Sequence, residues 1–219
     1  MKTTLHTILA IGAVVGTSLI SVPASANLIV NGGFEETTSN YSTTVTPYGW
    51  TNQGHSDGVL AYATYAQYGM TAYEGSYFYD LGGMGATSGP INDGIYQIVG
   101  TEVGKTYELV FGLSSENFGG DTVLSVTTGG VTNLFTLHST DHSFGGKGFT
   151  TETIDFTAVT GSTMIAFIET ANASGGNNDP LIDNVSLDLQ SNPVPEPATM
   201  LLFGTGIAGL AAVVRRKIN

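Results

Sequence analysis

The chain contains no cysteine among its 219 residues. That removes disulfide staples, thiolate metal sites and any thiol nucleophile at once. The fold has to hold by packing, and a hard, oxygen-bound cation is the cross-linking chemistry left to it. Bases are almost as scarce: six Lys and Arg stand against 18 Asp and Glu, for a formal charge of −12. Lys2, Arg215, Arg216 and Lys217 lie at the chain ends, so residues 27–190 hold seventeen acids and only two bases, Lys105 and Lys147. Such a surface repels nucleic acid and anionic lipid headgroups and suits divalent cations and neutral ligands. Most of the acids need do no more than keep the chain soluble. There is no G-x-S-x-G for a serine nucleophile. No long apolar run and no sustained helical period occur between Asn27 and Gln190.

The apolar runs that do exist sit at the two ends. Lys2 precedes a mostly apolar stretch from Leu9 to Ile20, and Ala24-Ser25-Ala26 is an A-x-A cleavage triplet. This is the pattern of a secretory signal over residues 1–26, with Asn27 as the mature start; an uncleaved anchor helix is the alternative. The signal places the protein outside the inner membrane.

Between the ends, glycine is abundant (30 residues) and charge is low at 11%. Short β-branched and aromatic runs recur: NLIVNGGFE from Asn27, SYFYDL over 76–81, GIYQIV over 94–99 and KTYELVFGL over 105–113. DTVLSVTT and VTNLFTL flank Gly129-Gly130, a hairpin signal. TTETIDFTAV, TMIAFIET and LIDNVSLDL complete the series. Period two dominates, as in Tyr107, Leu109, Phe111 and Leu113. About nine or ten short strands predict an all-β, antiparallel sandwich of jelly-roll type over residues 27–190.

The order LIVNGGFEE, EGSYFYDLGG, GIYQIVGTEVGKTYELVFGL and closing LIDNVSL resembles the galactose-binding-like jelly rolls, which include many carbohydrate-binding modules. The likeness covers roughly residues 27–189 and speaks for fold more than for ligand. It implies that the first and last strands lie side by side, tied by a structural Ca²⁺. Carried over by position, the carboxylate ligands are Glu35 and Asp183. Glu36 is the alternative to Glu35, since neighbouring strand residues point oppositely. Without an ion, Asp183 would make only turn hydrogen bonds and Glu35 would be solvated. Six to eight oxygens around Ca²⁺ suit two carboxylates that otherwise repel.

Eight of the ten Tyr lie between Tyr41 and Tyr79, as does Trp50, the only Trp, in a stretch rich in Gly, Asn, Gln and Thr. Flat aromatic faces against sugar C–H patches, with amides for the hydroxyls, are the means of binding a neutral glycan. Tyr65, Tyr68 and Tyr73 are the candidate ligand-binding residues, with ordinary packing as the competing role. Trp50, Tyr77 and Phe78 read as core. His138 and His142 flank Asp141 in a Gly-rich segment read as a loop after a strand, without the helix a metal pair needs. No carboxylate pair is singled out for glycosidase chemistry, so no catalytic residue is assigned.

Downstream of Gln190, Pro193, Pro195 and Pro197 make residues 191–199 an extended linker. Residues 200–214 carry no charge. As a helix they span about 22 Å, short of the roughly 30 Å hydrocarbon core, and Arg215, Arg216 and Lys217 would hold the tail of residues 215–219 in the cytoplasm. Val194-Pro195-Glu196-Pro197, a short apolar helix and a basic cluster resemble the PEP-CTERM sorting signal. That resemblance implies a bacterial protein from a cell that makes exopolysaccharide, and an exosortase as the processing partner. A plain single-span anchor has the same topology without the Pro-Glu-Pro. The reading is therefore a non-enzymatic surface or matrix protein, transiently anchored in the membrane, that binds carbohydrate such as exopolysaccharide. A structural matrix protein without a small ligand and a glycoside-active enzyme are the alternatives.

Overall fold

A computed structural model describes residues 26–36, 46–54, 59–62, 72–82, 92–116, 120–138, 148–172, 178–190 and 206. The signal segment, the linker and nearly all of the C-terminal tail lie outside the described residues.

Ten strands are present among the described residues, in chain order β1 (Thr51–Gln53), β2 (Val59–Tyr62), β3 (Tyr77–Asp80), β4 (Asp93–Gly100), β5 (Thr106–Ser115), β6 (Asp121–Thr128), β7 (Val131–His138), β8 (Thr150–Thr157), β9 (Ser162–Asn172) and β10 (Pro180–Leu189). They form two five-stranded sheets with the orders β1-β4-β9-β6-β7 and β2-β3-β10-β5-β8. Every pairing is antiparallel. β6 and β7 join as the expected hairpin, with Gly129 and Gly130 both at positive φ.

Alternation puts one face of each sheet into a shared core. Tyr107, Leu109, Phe111 and Leu113 of β5 point inward, against Ile165 and Phe167 of β9 and Leu124 and Val126 of β6. The rings of Phe111 and Phe167 meet edge to face at 5.1 Å. Trp50 is buried in this core, as expected, and its ring lies 5.7 Å from that of Phe34. Tyr77 packs against the core, while Phe78 belongs to a second, outer cluster with Leu181 and Phe149.

The first segment, Asn27 to Glu36, departs from the expected regular strand. Asn31 and Phe34 have φ near +53° and +57°, which break a β ladder. The segment still lies beside β10, through Leu28 N–H to Leu187 O (2.9 Å) and Val185 N–H to Gly32 O (3.0 Å). It reaches the other sheet as well: Val30 exchanges two hydrogen bonds with the Gln97 amide of β4, at 2.8 and 3.0 Å. It therefore closes the gap between the two sheets instead of extending one. β1 and β2 had no counterpart in the sequence reading, because runs of three or four residues are too short to carry a readable period.

Candidate functional site

β10 is the middle strand of its sheet, and it carries an irregularity between Asp183 and Ser186, with Asn184 at φ 48°. The irregularity lets Ile182, Val185 and Leu187 all point into the core. Asp183 faces the other way, paired with Gly112 of β5, which in turn pairs with Thr151 of β8. Asp183 has no solvent exposure even so. The turn before β3 lies over it. The Tyr73 and Glu74 N–H groups donate to its Oδ2 at 2.8 and 3.1 Å, and the Asn184 N–H donates to Oδ1 at 2.6 Å.

Glu35 holds the other half of the same turn. Its Oε1 accepts from the N–H groups of Ser76 (2.6 Å) and Tyr77 (2.8 Å). Gly75, between the two gripped pairs, has φ +62°, and a Cβ there would lie 2.3 Å from Glu35 Oε1. Only glycine meets both demands. Glu36 takes no part: its N–H goes to the Asn31 side chain and it is exposed. The pair that faces each other across the turn is thus Glu35 and Asp183. Burial raises the Asp183 carboxyl, the three amide donors oppose the rise, and the nearby Glu35 charge adds to it, leaving it pushed up to about 7.

The turn delivers Tyr73 to the outer face of the sheet. Its ring crosses Gly112, where a Cβ would come within 3.0 Å of the ring, and its hydroxyl bonds to that of Thr151. Phe149 packs edge-on to Tyr73 at 6.0 Å and to Phe78 at 5.7 Å. Tyr73 remains 41% exposed. The result is a shallow aromatic patch with the Tyr73 and Thr151 hydroxyls at its side. Phe149, Thr151 and Gly112 escaped the sequence reading; the register that brings them under Tyr73 is tertiary. Tyr65 and Tyr68 lie outside the described residues. So do Val194, Pro195, Glu196, Pro197, Arg215, Arg216, Lys217 and His142. His138 ends β7, and its Nδ1 pairs with Asp121 at 2.9 Å across the hairpin.

Among the described residues no helix is long and apolar enough to cross a membrane.

Residues 193–217 match the PEP-CTERM protein-sorting motif, so the chain carries that motif. No curated protein matches the chain at a significant level. Among solved structures, the chain is similar to an arabinose-bound α-L-arabinofuranosidase, MgGH51, at 15% identity and a TM-score of 0.51, over 77% of this chain and 27% of the enzyme's. It is also similar to TmCBM61 in complex with β-1,4-galactotriose (18% identity, TM-score 0.46, covering 76% and 100% of the two chains). A third is the CBM22-1 xylan-binding domain of Xyn10C from Paenibacillus barcinonensis (15% identity, TM-score 0.47, covering 77% and 97%). At such identities the likeness concerns the fold, an antiparallel β-sandwich of jelly-roll type.

Asp183 yields a pH test. Its folded value lies above that of an unfolded aspartate, so its contribution to stability is present below about pH 4 and is lost as pH rises through 7. In chelator, the melting midpoint of the full chain should fall from pH 4 to pH 7 more steeply than that of Asp183→Asn. Parallel curves for the two proteins would show that this carboxyl is not shifted.

Proposed function

We propose that the protein is an exported bacterial surface or matrix protein, sorted through its tail by an exosortase, whose sandwich domain binds carbohydrate and catalyses nothing. The observation that carries the sorting half is the motif match over residues 193–217. The match includes the Pro-Glu-Pro, the apolar run and the bases, which is more than a plain anchor requires. An apolar helix of about 22 Å leaves several ångströms of bilayer mismatch, a modest cost that suits transient anchoring. Gly204, Gly206, Ala208, Gly209 and Ala212 allow close approach of another membrane helix, such as that of a processing enzyme.

Support for the carbohydrate half comes from the patch around Tyr73. A half-exposed ring braced by Phe149 offers a flat apolar face, and the Tyr73 and Thr151 hydroxyls supply polar partners for sugar hydroxyls. Tyr65 and Tyr68 are proposed to extend that face.

We also assign a structural Ca²⁺ to Glu35 and Asp183. The donor set fits. Two carboxylates from different segments face each other, and the amides they accept leave lone pairs on both. A cation there would offset the repulsion that Glu35 adds to Asp183. Bound, it would supply charge neutralisation and cross-linking, while the two side chains alone hold the turn that presents Tyr73.

Intact mass of the protein recovered from its native cell tests the sorting. A chain from Asn27 to about Pro195–Pro197 is expected; a chain still ending at Asn219 in cells with an active exosortase would leave only the anchor reading. For the ligand, Tyr73→Ala should lose at least tenfold in affinity for whichever array glycan the parent binds, while melting within a few degrees of it. Full binding by the folded variant excludes the patch, and no glycan binding by the parent leaves the structural-matrix reading. For the ion, Ca²⁺ at 100 times its Kd should stabilise by about 2.7 kcal/mol, a rise of roughly 5–10 °C in melting midpoint. Glu35→Gln should rise less than the parent by about that amount; an equal rise in parent and variant removes the assignment.

A further inference from the structure

The opposite end of β3 holds a second carboxylate cluster. Asp80 closes β3, Glu116 follows β5 and Asp179 precedes β10. These three strands are neighbours or near neighbours in one sheet, and their ends coincide: Leu81 N–H donates to Pro180 O at 3.1 Å, and Glu116 N–H to Asp179 O at 3.1 Å. One carboxylate oxygen from each of Asp80, Glu116 and Asp179 lies within 4.8 Å of the other two. All three side chains are buried. Oxygens bound at about 2.4 Å to one ion are at most about 4.8 Å apart, so this spacing is that of a single coordination shell.

Two more acids stand at the same end. Asp93 and Glu169 pair across β4 and β9 and are also buried. The Thr122 hydroxyl donates to Glu169 at 2.9 Å. Lys105, one of the two bases in the domain, precedes β5 and is at the far end of that strand from Glu116. Burial first, and then the charges of Asp80 and Asp179, push the Glu116 carboxyl up to about 10.

An independent observation points to a ligand. The hydroxyls of Tyr79 and Ser115 have no solvent exposure and no hydrogen-bond partner among the described residues. The Tyr79 hydroxyl is close enough to Asp80 and Asp93 that, after burial, their negative charge is what opposes its ionisation. An orphaned buried hydroxyl near three converging carboxylates makes an oxygen donor set. That is the chemistry of a hard cation.

We propose that Asp80, Glu116 and Asp179 bind a divalent cation of the calcium class, with the Tyr79 hydroxyl close to the same cluster. Magnesium is the poorer fit, because it keeps most of its waters and the three carboxylate side chains are buried. The ion would lock the ends of β3, β5 and β10 together. The site is distinct from the Glu35–Asp183 clamp, and the inference does not depend on that clamp holding an ion.

The test counts bound Ca²⁺ on the full chain in detergent, stripped with EDTA and then dialysed against Ca²⁺. Wild type should bind one more ion per chain than Glu116→Gln, and one more than Asp80→Asn. Glu35→Gln should leave the triad ion in place, so that loss of either site is read separately. Melting supplies a second readout. In EDTA, Glu116→Gln should melt close to wild type, because a neutral amide replaces a carboxyl that burial and its acidic neighbours already hold protonated; in Ca²⁺ it should gain less than wild type. If both triad variants bind as many ions as wild type, the cluster is an acid–carboxylate pair sharing protons and the proposal fails. It fails too if neither variant folds in EDTA, since the charges would then be needed without any ion.

Discussion

Asp183 lies on the outer face of the middle strand of its sheet, without solvent, and three backbone N–H groups are what surround its oxygens. Two of them belong to the turn before β3, and Glu35 holds two more amides of the same turn. Charge-assisted hydrogen bonds of this kind are stronger than neutral ones, and burial strengthens them further. Three distant parts of the chain meet here: the first segment of the domain, the entrance to β3, and β10. The irregularity in β10 is what turns Asp183 outward while keeping Val185 and Leu187 in the core. Removing the carboxylate would orphan three buried amides together.

The same grip links architecture to the proposed carbohydrate face. Tyr73 is both a backbone donor to Asp183 and the exposed ring of the aromatic patch. Its position over Gly112 is thus set from below by the clamp and from the side by Phe149. A side chain whose backbone is fixed loses little freedom on meeting a ligand, which is how a weak surface contact gains specificity. At the other end of β3, the carboxylates of Asp80, Glu116 and Asp179 converge in a buried cluster. One short strand therefore runs between two groups of acids.

A chain without cysteine has few ways to cross-link a sandwich. The acids supply one way, and the segment from Asn27 to Glu36 supplies another by bonding to both sheets at once. Its two residues at positive φ, Asn31 and Phe34, bend it out of ladder geometry so that it can do so. Phe34 then reaches the core beside Trp50 and Tyr79.

Much was legible in the linear chain for simple reasons. Alternation along β5, β6, β8 and β9 follows from a half-buried pleated surface, and Gly129-Gly130 marks a hairpin by backbone freedom alone. The tail motif is contiguous, so no folding is needed to read it. The missed features are those that depend on register or on partners far apart in sequence. β1 and β2 are too short to show a period. Whether Glu35 or Glu36 faces Asp183 turns on a single-residue shift, which inverts every side chain in a strand. Asp80, Glu116 and Asp179 are separated by dozens of residues in sequence; they converge because three strands of one sheet end at the same level. The sequence by itself determined an all-β sandwich, an acidic surface and a sorting tail, since these rest on composition, period two and one contiguous motif. Only the tertiary structure decided which carboxylates meet, because burial and proximity come from the pairing of strands and not from their order.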